Sequence, residues 1–476
     1  MNKYLATLLI ATTFFALYNL GTHPLQDWDE SRNGINAFEM LQNGDWVNLH
    51  FKGHLDDWNL KPPLSIWMIA ASYSLFGFNE FALRFPSALS IIFATFFLFK
   101  IIRLYRSNEF AFFTCLMLIS AKGWIGYHVG RTGDMDSIFL LMMLGGTFHF
   151  LKYFDLKFKL NIFYSAIFFG LAFWVKGIAM AVFFPSILLY AFFTNRIKTL
   201  ILNKRTYFAL GLFLIFPSAW FWINDYYGIL FEEKSGLGSN AFTSMFWYDI
   251  MERFGNPKFI NLSDLSSNWF FFSYLDTRFN VWNYFLYLGL LHLIVTLFRK
   301  KIKPQQFINK IKPPLILVSL SWSIPLCLFQ NFSSVQHHWY LAPALPFIAI
   351  ICYTLINILK RNFVQFKYIF FIALFFTLAK QVFLFNKPPS KPLFIQNYQK
   401  EIKRSKNVLN LVPNLDQSLT LYIYFTNKNQ IFSNNLDLNT ELIIIKKSDR
   451  ALISNNKNFE EMFSPTNHKY SIFKKR

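Results

Sequence analysis

The chain has 476 residues, of which 54% are hydrophobic and only 15% charged, against about 25% charged in soluble domains. That balance excludes an ordinary soluble globule and points to lipid as the solvent. The formal net charge of +21 does not indicate nucleic acid, because the basic residues recur between apolar runs rather than on one patch.

A membrane-spanning helix needs about 20 mostly apolar residues. Candidate spans lie at roughly 4–21, 82–102, 109–129, 136–152, 161–175, 178–194, 207–224, 281–298, 314–330, 340–359 and 364–386. The predicted fold class is an all-α polytopic membrane protein with about eleven transmembrane helices. Lys3 precedes the first run and no clear cleavage site follows it, so this run is read as a helix rather than a signal peptide. The residues from Leu64 to Gly77 are apolar and uncharged but too short to cross, and predict an amphipathic or re-entrant segment on the outer face.

Five basic clusters follow the even-numbered spans: Lys100/Arg103/Arg106, Lys152/Lys157/Lys159, Arg196/Lys198/Lys204/Arg205, Arg299 through Lys312, and Lys360/Arg361/Lys367. The positive-inside rule then orients the chain with its N-terminus in the cytosol. Residues 22–80 and 225–280 become outer loops of a transmembrane domain, 1–387. The tail, 388–476, is polar and predicts a small soluble α/β domain outside the cell membrane, with a helix near 393–404 and strands at Leu419–Phe425 and Leu442–Ile445. Cys115, Cys327 and Cys352 sit inside apolar runs with neither metal-ligand nor disulfide spacing. Gly236 and Gly238 do not lie in a strand-turn-helix setting, so no nucleotide loop is read there.

Ionisable groups concentrate in the first outer loop: Asp27, Asp29, Glu30, Arg32, Asp45, Asp56, Asp57 and Lys61. A charged loop is commonly a solvated face. Here the acids stand at the mouth of the first span, where desolvation makes a carboxylate a better base. Pro62 and Pro63 favour a helix start, which puts Lys61 beside free backbone N–H groups suited to an anion. Arg32 adds a forked donor for the same anion. A second cluster, Arg131, Asp134 and Asp136, opens the fourth span, where an acid could equally be a helix cap. Lys176 breaks an apolar run, and His337 and His338 precede Tyr340 in the last short outer loop. Two adjacent histidines are a weak metal signal, so no metal ligand is assigned, and no cofactor is certain although a divalent metal stays open.

Read in order, Asp29-Glu30, Arg32, Gly44-Asp45-Trp46, Lys61-Pro62-Pro63, Leu75-Phe76-Gly77 and Arg84-Phe85-Pro86-Ser87-Ala88 form a specific set. It resembles the protein-mannosyltransferase-like glycosyltransferases, which include the lipid A aminoarabinose transferases. Arg131 to Asp136, Lys176-Gly177 and Tyr340 to Pro346 extend the resemblance over roughly 1–360. It implies the C-type glycosyltransferase superfold. Asp29 then matches the catalytic acid, with Glu30 beside it, and Asp136 a second functional acid. Arg32 and Lys61, with Arg131, match groups holding the donor phosphate. Lys176, His337, His338 and Tyr340 are candidate substrate contacts. Gln336 stands where a lysine is common, and Asp134 is shifted relative to the pattern.

The implied partners are a polyprenyl-phosphate-linked sugar, membrane lipid and an acceptor glycan, lipid or protein, with no nucleic acid. The implied activity is inverting transfer to a hydroxyl or phosphate on the outer face of a bacterial inner or plasma membrane. Acceptor activation falls to Asp29, and Arg32 and Lys61 stabilise the leaving phosphate. The competing reading is a transporter or flippase of lipid-linked sugars, which would carry charge at mid-membrane or on broken helices and repeats.

Overall fold

The computed structural model describes residues 2–56, 61–126, 128–227, 241–246, 270–299, 314–333, 336–410, 416–432, 440–462 and 469–476. Asp57, Trp58, most of the second outer loop with Gly236 and Gly238, and the basic residues from Lys300 to Lys312 lie outside that set. Two compact units form. One comprises Met1–Tyr18, Leu60–Ser65 and Pro86–Asn386; the other comprises Asn19–Asn59, Ile66–Phe85 and Lys387–Arg476.

The first unit is helical, and the protein is an integral membrane protein. Among the described residues, eight helical stretches are long and apolar enough to span, and Lys3–Leu17, Leu64–Phe76 and Asn108–Ile119 are shorter apolar helices. Each of the eleven expected runs contains a helix: α1 (Lys3–Leu17), α4 (Glu80–Arg103), α5 (Asn108–Ile119), α6 (Asp136–Phe154), α7 (Asn161–Lys176), α8 (Phe183–Phe193), α9 (Lys204–Tyr227), α10 (Val281–Arg299), α11 (Pro314–Phe332), α12 (Leu345–Asn362) and α13 (Gln365–Asn386). Two more, α2 (Asp29–Asn43) and α3 (Leu64–Phe76), lie between α1 and α4.

Residues 161–193 form one helical stretch, yet it reverses direction within its length. At one end of α6, Asp136 pairs with Lys176, the last residue of α7. At the other end, Asp155 pairs with Arg196 and accepts from the Tyr190 hydroxyl at 2.7 Å, both near the end of α8. α6 is 19 residues, about 28 Å long, so α7 and α8 run in opposite directions. The reversal sits at Gly177, whose φ of 59° and ψ of −138° suit only glycine. The run expected at 109–129 differs: its helix stops at Ile119, and a separate turn of helix covers Lys122–Ile125.

In the second unit, α14 (Leu393–Arg404) and α15 (Gln417–Thr426) accompany a five-stranded sheet. Its strands are β3 (Val408–Asn410), β4 (Gln430–Phe432), β5 (Leu442–Lys446), β6 (Phe459–Glu461) and β7 (Tyr470–Lys475), in the order β4-β3-β5-β7-β6. β3 runs parallel to β4 and β5, whereas β7 is antiparallel to β5 and β6. Side chains alternate across the sheet. Leu442 and Ile444 join one core, and Ile443 and Ile445 join another with Phe473.

The first of those cores also holds Ile35, Phe38 and Met40 of α2, Ile69 and Tyr73 of α3, and Leu421 and Ile423 of α15. The tail expected as a domain of its own therefore shares its core with the first outer segment. The strand expected at Leu419–Phe425 is a correction: these residues lie within α15. Their alternating β-branched and aromatic pattern mimics a strand, but every residue from Ser418 to Tyr424 is buried. A helix enclosed on all sides needs no amphipathic period, and tertiary packing overrides propensity. The helix near 393–404 and the strand at 442–445 form as expected.

α2 is polar in sequence and buried in fact, from Glu30 through Met40 except Arg32. Its charges must then be paired. Glu30 and Arg84 are each 1% exposed and form an ion pair, with Nε donating to Oε1 at 2.6 Å and Nη2 to Oε2 at 2.9 Å. The remaining guanidinium N–H groups donate to the carbonyls of Leu20, His23 and Pro24 at 3.1, 2.8 and 3.0 Å. Gly44 closes α2 in the left-handed conformation at φ 74°. Asp45 then accepts from the N–H groups of Val47 and Asn48, and the Trp46 carbonyl accepts from the Trp67 indole at 2.9 Å. The Gly-Asp-Trp motif is thus a helix stop and a turn. Replacing Arg84 by Ala strands the Glu30 charge and costs roughly 3–5 kcal/mol; thermal unfolding in detergent measures it, with Arg84→Lys recovering only part because an ammonium lacks the fork.

Candidate functional site

Candidate groups fall in both units. In the second unit they surround the start of α2. Its cap residue, Trp28, has φ 69° and ψ −124° and makes no side-chain cap. Positive φ in so bulky a residue is strained by about 1–3 kcal/mol and persists only where the surroundings impose it. The next residue, Asp29, is exposed, while the neighbouring Glu30 is buried against Arg84. The two adjacent catalytic candidates thus stand in opposite environments.

Arg32, one helical turn on, does not stand open as an anion fork. Its Nε donates to Asp56 Oδ2 at 2.9 Å and its Nη2 to Oδ1. The Asp56 side chain is fully buried, and Asn36 Nδ2 also donates to it at 3.0 Å. The Arg32 guanidinium lies 4.5 Å from the centre of the Phe51 ring. Phe51 belongs to a two-strand hairpin, β1 (His50–Phe51) and β2 (His54–Leu55). Lys52, in the hairpin turn at φ 57°, shares the Phe51 ring with its ammonium 5.3 Å away.

In the first unit, Lys61 is half-buried and precedes buried Pro62 and Pro63, and α3 starts at Leu64. That is the helix start the two prolines predict. Lys61 has no ion-pair partner among the described residues. Asp136, at the first residue of α6, is buried and paired to Lys176, whose Nζ also lies 5.1 Å over the Tyr340 ring. Asp134 is buried too, with Oδ2 at 3.2 Å from His128 Nδ1. The His128 ring stacks on Trp339 at 3.8 Å, and Trp339 stacks on His337 at 4.5 Å. His337 meets Tyr340 edge-on at 5.2 Å. Asp136, Lys176, Tyr340 and His337 are therefore one connected set.

Two candidates leave that set. Arg131 donates to the carbonyls of Phe15 and Ala16 at 2.9 and 3.1 Å and stacks on Phe385 at 3.9 Å. A cation at the last carbonyls of α1 complements the helix dipole. His338 turns away from His337: its Nδ1 lies 3.0 Å from Thr277 Oγ1, so the two histidines do not converge on one point.

Residues 60–223 match the family model described as dolichyl-phosphate-mannose-protein mannosyltransferase. A Pseudomonas fluorescens protein named undecaprenyl phosphate-alpha-4-amino-4-deoxy-L-arabinose arabinosyl transferase 2 is 35% identical over 137 residues, covering 27% of this chain. The motif resemblance holds. Over residues 60–223 the chain is similar to the protein-mannosyltransferase-like family. The match spans only about a quarter of that relative's length (24%). An uncharacterised Aquifex aeolicus relative is 24% identical over 226 residues, covering 48% of this chain and 44% of its own. The crystal structure of ArnT from Cupriavidus metallidurans bound to undecaprenyl phosphate shares the fold at a TM-score of 0.69 and 15% identity, covering 98% of this chain and 97% of that one. That coverage takes in the tail, where no sequence resemblance is evident.

Sequence reasoning passed over His128 and Lys52. His128 fell inside a run read as a continuous span. A histidine in such a run is itself a signal, since ionisable groups are rare in spans. Lys52 had only a turn position to mark it.

Burial pushes the Lys52 ammonium down to about 8, against the pull of Asp416 and with help from the Arg32 charge. An unfolded lysine keeps its proton up to about 10.4. Between those values the unfolded chain binds more protons, so stability rises with pH. Thermal unfolding from about pH 8 to pH 10 will show this rise in the parent protein and its loss in Lys52→Met.

Proposed function

We propose that this protein is an inverting glycosyltransferase that moves a sugar from a polyprenyl-phosphate carrier to an acceptor hydroxyl or phosphate at the outer face of the membrane. The observation that carries the reading is the division of the first-loop acids. Glu30, Glu39 and Asp56 are buried, while Asp27 and Asp29 are exposed; Asp27 accepts from the Ser418 N–H, and Asp29 stands at the head of α2. Only an exposed carboxylate can meet an acceptor. The fold shared with a structure bound to undecaprenyl phosphate supports the donor class. The basic clusters after even-numbered spans support the outer location. The names of the arabinosyl transferase relatives favour a pentose.

In this mechanism the acceptor oxygen attacks the anomeric carbon from the face opposite the carrier. Asp29 takes the acceptor proton as the new C–O bond forms. The C–O bond to phosphate breaks with its electron pair moving to the phosphate oxygen. A phosphate leaves as an anion without needing an acid, so one base suffices and inversion follows. Lys61 stands near the start of α3, where an ammonium and unpaired backbone N–H groups stabilise that charge. Arg32 supports the same phosphate while anchored to Asp56. Glu30 holds the Asp29 turn through Arg84, and the Asp136–Lys176 pair with Tyr340 and His337 contributes substrate contacts.

Release of free polyprenyl phosphate from a lipid-linked sugar, in the presence of acceptor, reads the activity. Asp29→Asn lowers kcat by about 10²–10⁴-fold without loss of folded protein; near-normal turnover would remove Asp29 from the mechanism. Lys61→Ala lowers turnover by about 10²–10³-fold, with the defect in use of the donor. A defect confined to acceptor affinity would refute the phosphate role.

A further inference from the structure

The residue proposed as base heads a helix whose cap residue, Trp28, does not hold it in place. α2 has no side-chain cap, its entry runs through strained Trp28, and its face is largely polar. Something outside the loop must set its position. Within the second unit Arg84 of α4 holds Glu30, and α15 of the tail holds the residues that precede the helix. The Leu25 N–H donates to the Tyr422 hydroxyl oxygen at 2.8 Å. Asp27 Oδ1 accepts from the Ser418 N–H at 2.7 Å, in the first turn of α15, where backbone N–H groups favour an anion. These two bonds grip the chain immediately before Trp28 and Asp29.

The grip continues along α2. At Gly34 the helices touch: a Cβ there would lie 2.5 Å from Leu421 Cδ2. Phe38 stacks on Tyr424 at 4.3 Å, and the Tyr424 hydroxyl donates to Glu39 Oε1 at 2.6 Å. The contacts run the length of the helix, so α2 can neither slide nor turn without breaking them.

We propose that α15 is a positioning element for Asp29, with Tyr422 and Asp27 as the positioning residues that hold the strained turn in its working geometry. The proposal rests on the reading of Asp29 as base. It gives the tail a role in turnover rather than in solubility alone: the carboxylate is aimed by a helix nearly 400 residues away in the chain.

The test separates geometry from stability in the full-length protein. Tyr422→Phe removes the acceptor for Leu25, and Asp27→Ala the acceptor for Ser418. Each lowers kcat by about 10–100-fold, because small misplacement of a catalytic group is costly, and leaves the KM for the lipid-linked sugar within about twofold. Asp27→Asn, which keeps an acceptor oxygen, restores most of the turnover. Ile443→Val, on the sheet face away from α15, lowers Tm while kcat per folded molecule is unchanged. If Tyr422→Phe and Asp27→Ala lower only Tm and turn over normally while Asp29→Asn is inactive, the positioning role is overturned and the base stands. If Asp29→Asn itself turns over normally, both fall.

Discussion

The first outer segment is organised around the guanidinium of Arg84. A buried arginine carries five N–H donors that all need acceptors. Here two go to Glu30 and three to the carbonyls of Leu20, His23 and Pro24. The chain leaving α1 must therefore wrap around one side chain near the start of α4 before it can begin α2. Glu30 Oε2 also accepts from the Gln26 N–H at 2.9 Å, which tightens the same wrap. The strained Trp28 and the exposed Asp29 lie inside it, so the position of the candidate base follows from how one buried charge is satisfied.

The same constraint sorts the remaining ionisable groups. Burying a charge is expensive unless a partner comes with it. Asp56 is enclosed with Arg32 and Asn36, Asp136 with Lys176, and Arg131 with the carbonyls that end α1. Several residues that look in sequence like free anion-binding or acid–base groups are occupied by one another. Asp29 by contrast is exposed, and Lys61 has no ion-pair partner among the described residues.

Regular helix geometry made the membrane part legible. Each of the eleven apolar runs contains a helix because a bilayer span must satisfy its own backbone and be apolar over its length, and both demands are written locally. The reversal at Gly177 was visible as a lysine and a glycine interrupting an apolar run. The end of α5 at Ile119 was missed although Ser120, Lys122, Gly123 and Gly126 follow it, because Trp124, Ile125 and Val129 kept the run looking like a span. His128 was hidden for that reason. In the tail, α14 and β5 showed their periods plainly, whereas α15 displayed the alternation of a strand because it is buried all round.

The residue order alone determined the solvent, the spacing of the basic clusters, the family-like motif set and the short roster of acids and cations. These depend on composition and on spacing within a few residues, which no fold can alter. Which acid is exposed, which arginine is engaged and which helix steadies α2 were decided only in three dimensions. Those outcomes hinge on partners such as Glu30 with Arg84 and Asp27 with Ser418, separated by 54 and 391 positions. A pairing over such distances has no local signature, because the cost that enforces it appears only when both groups leave water together.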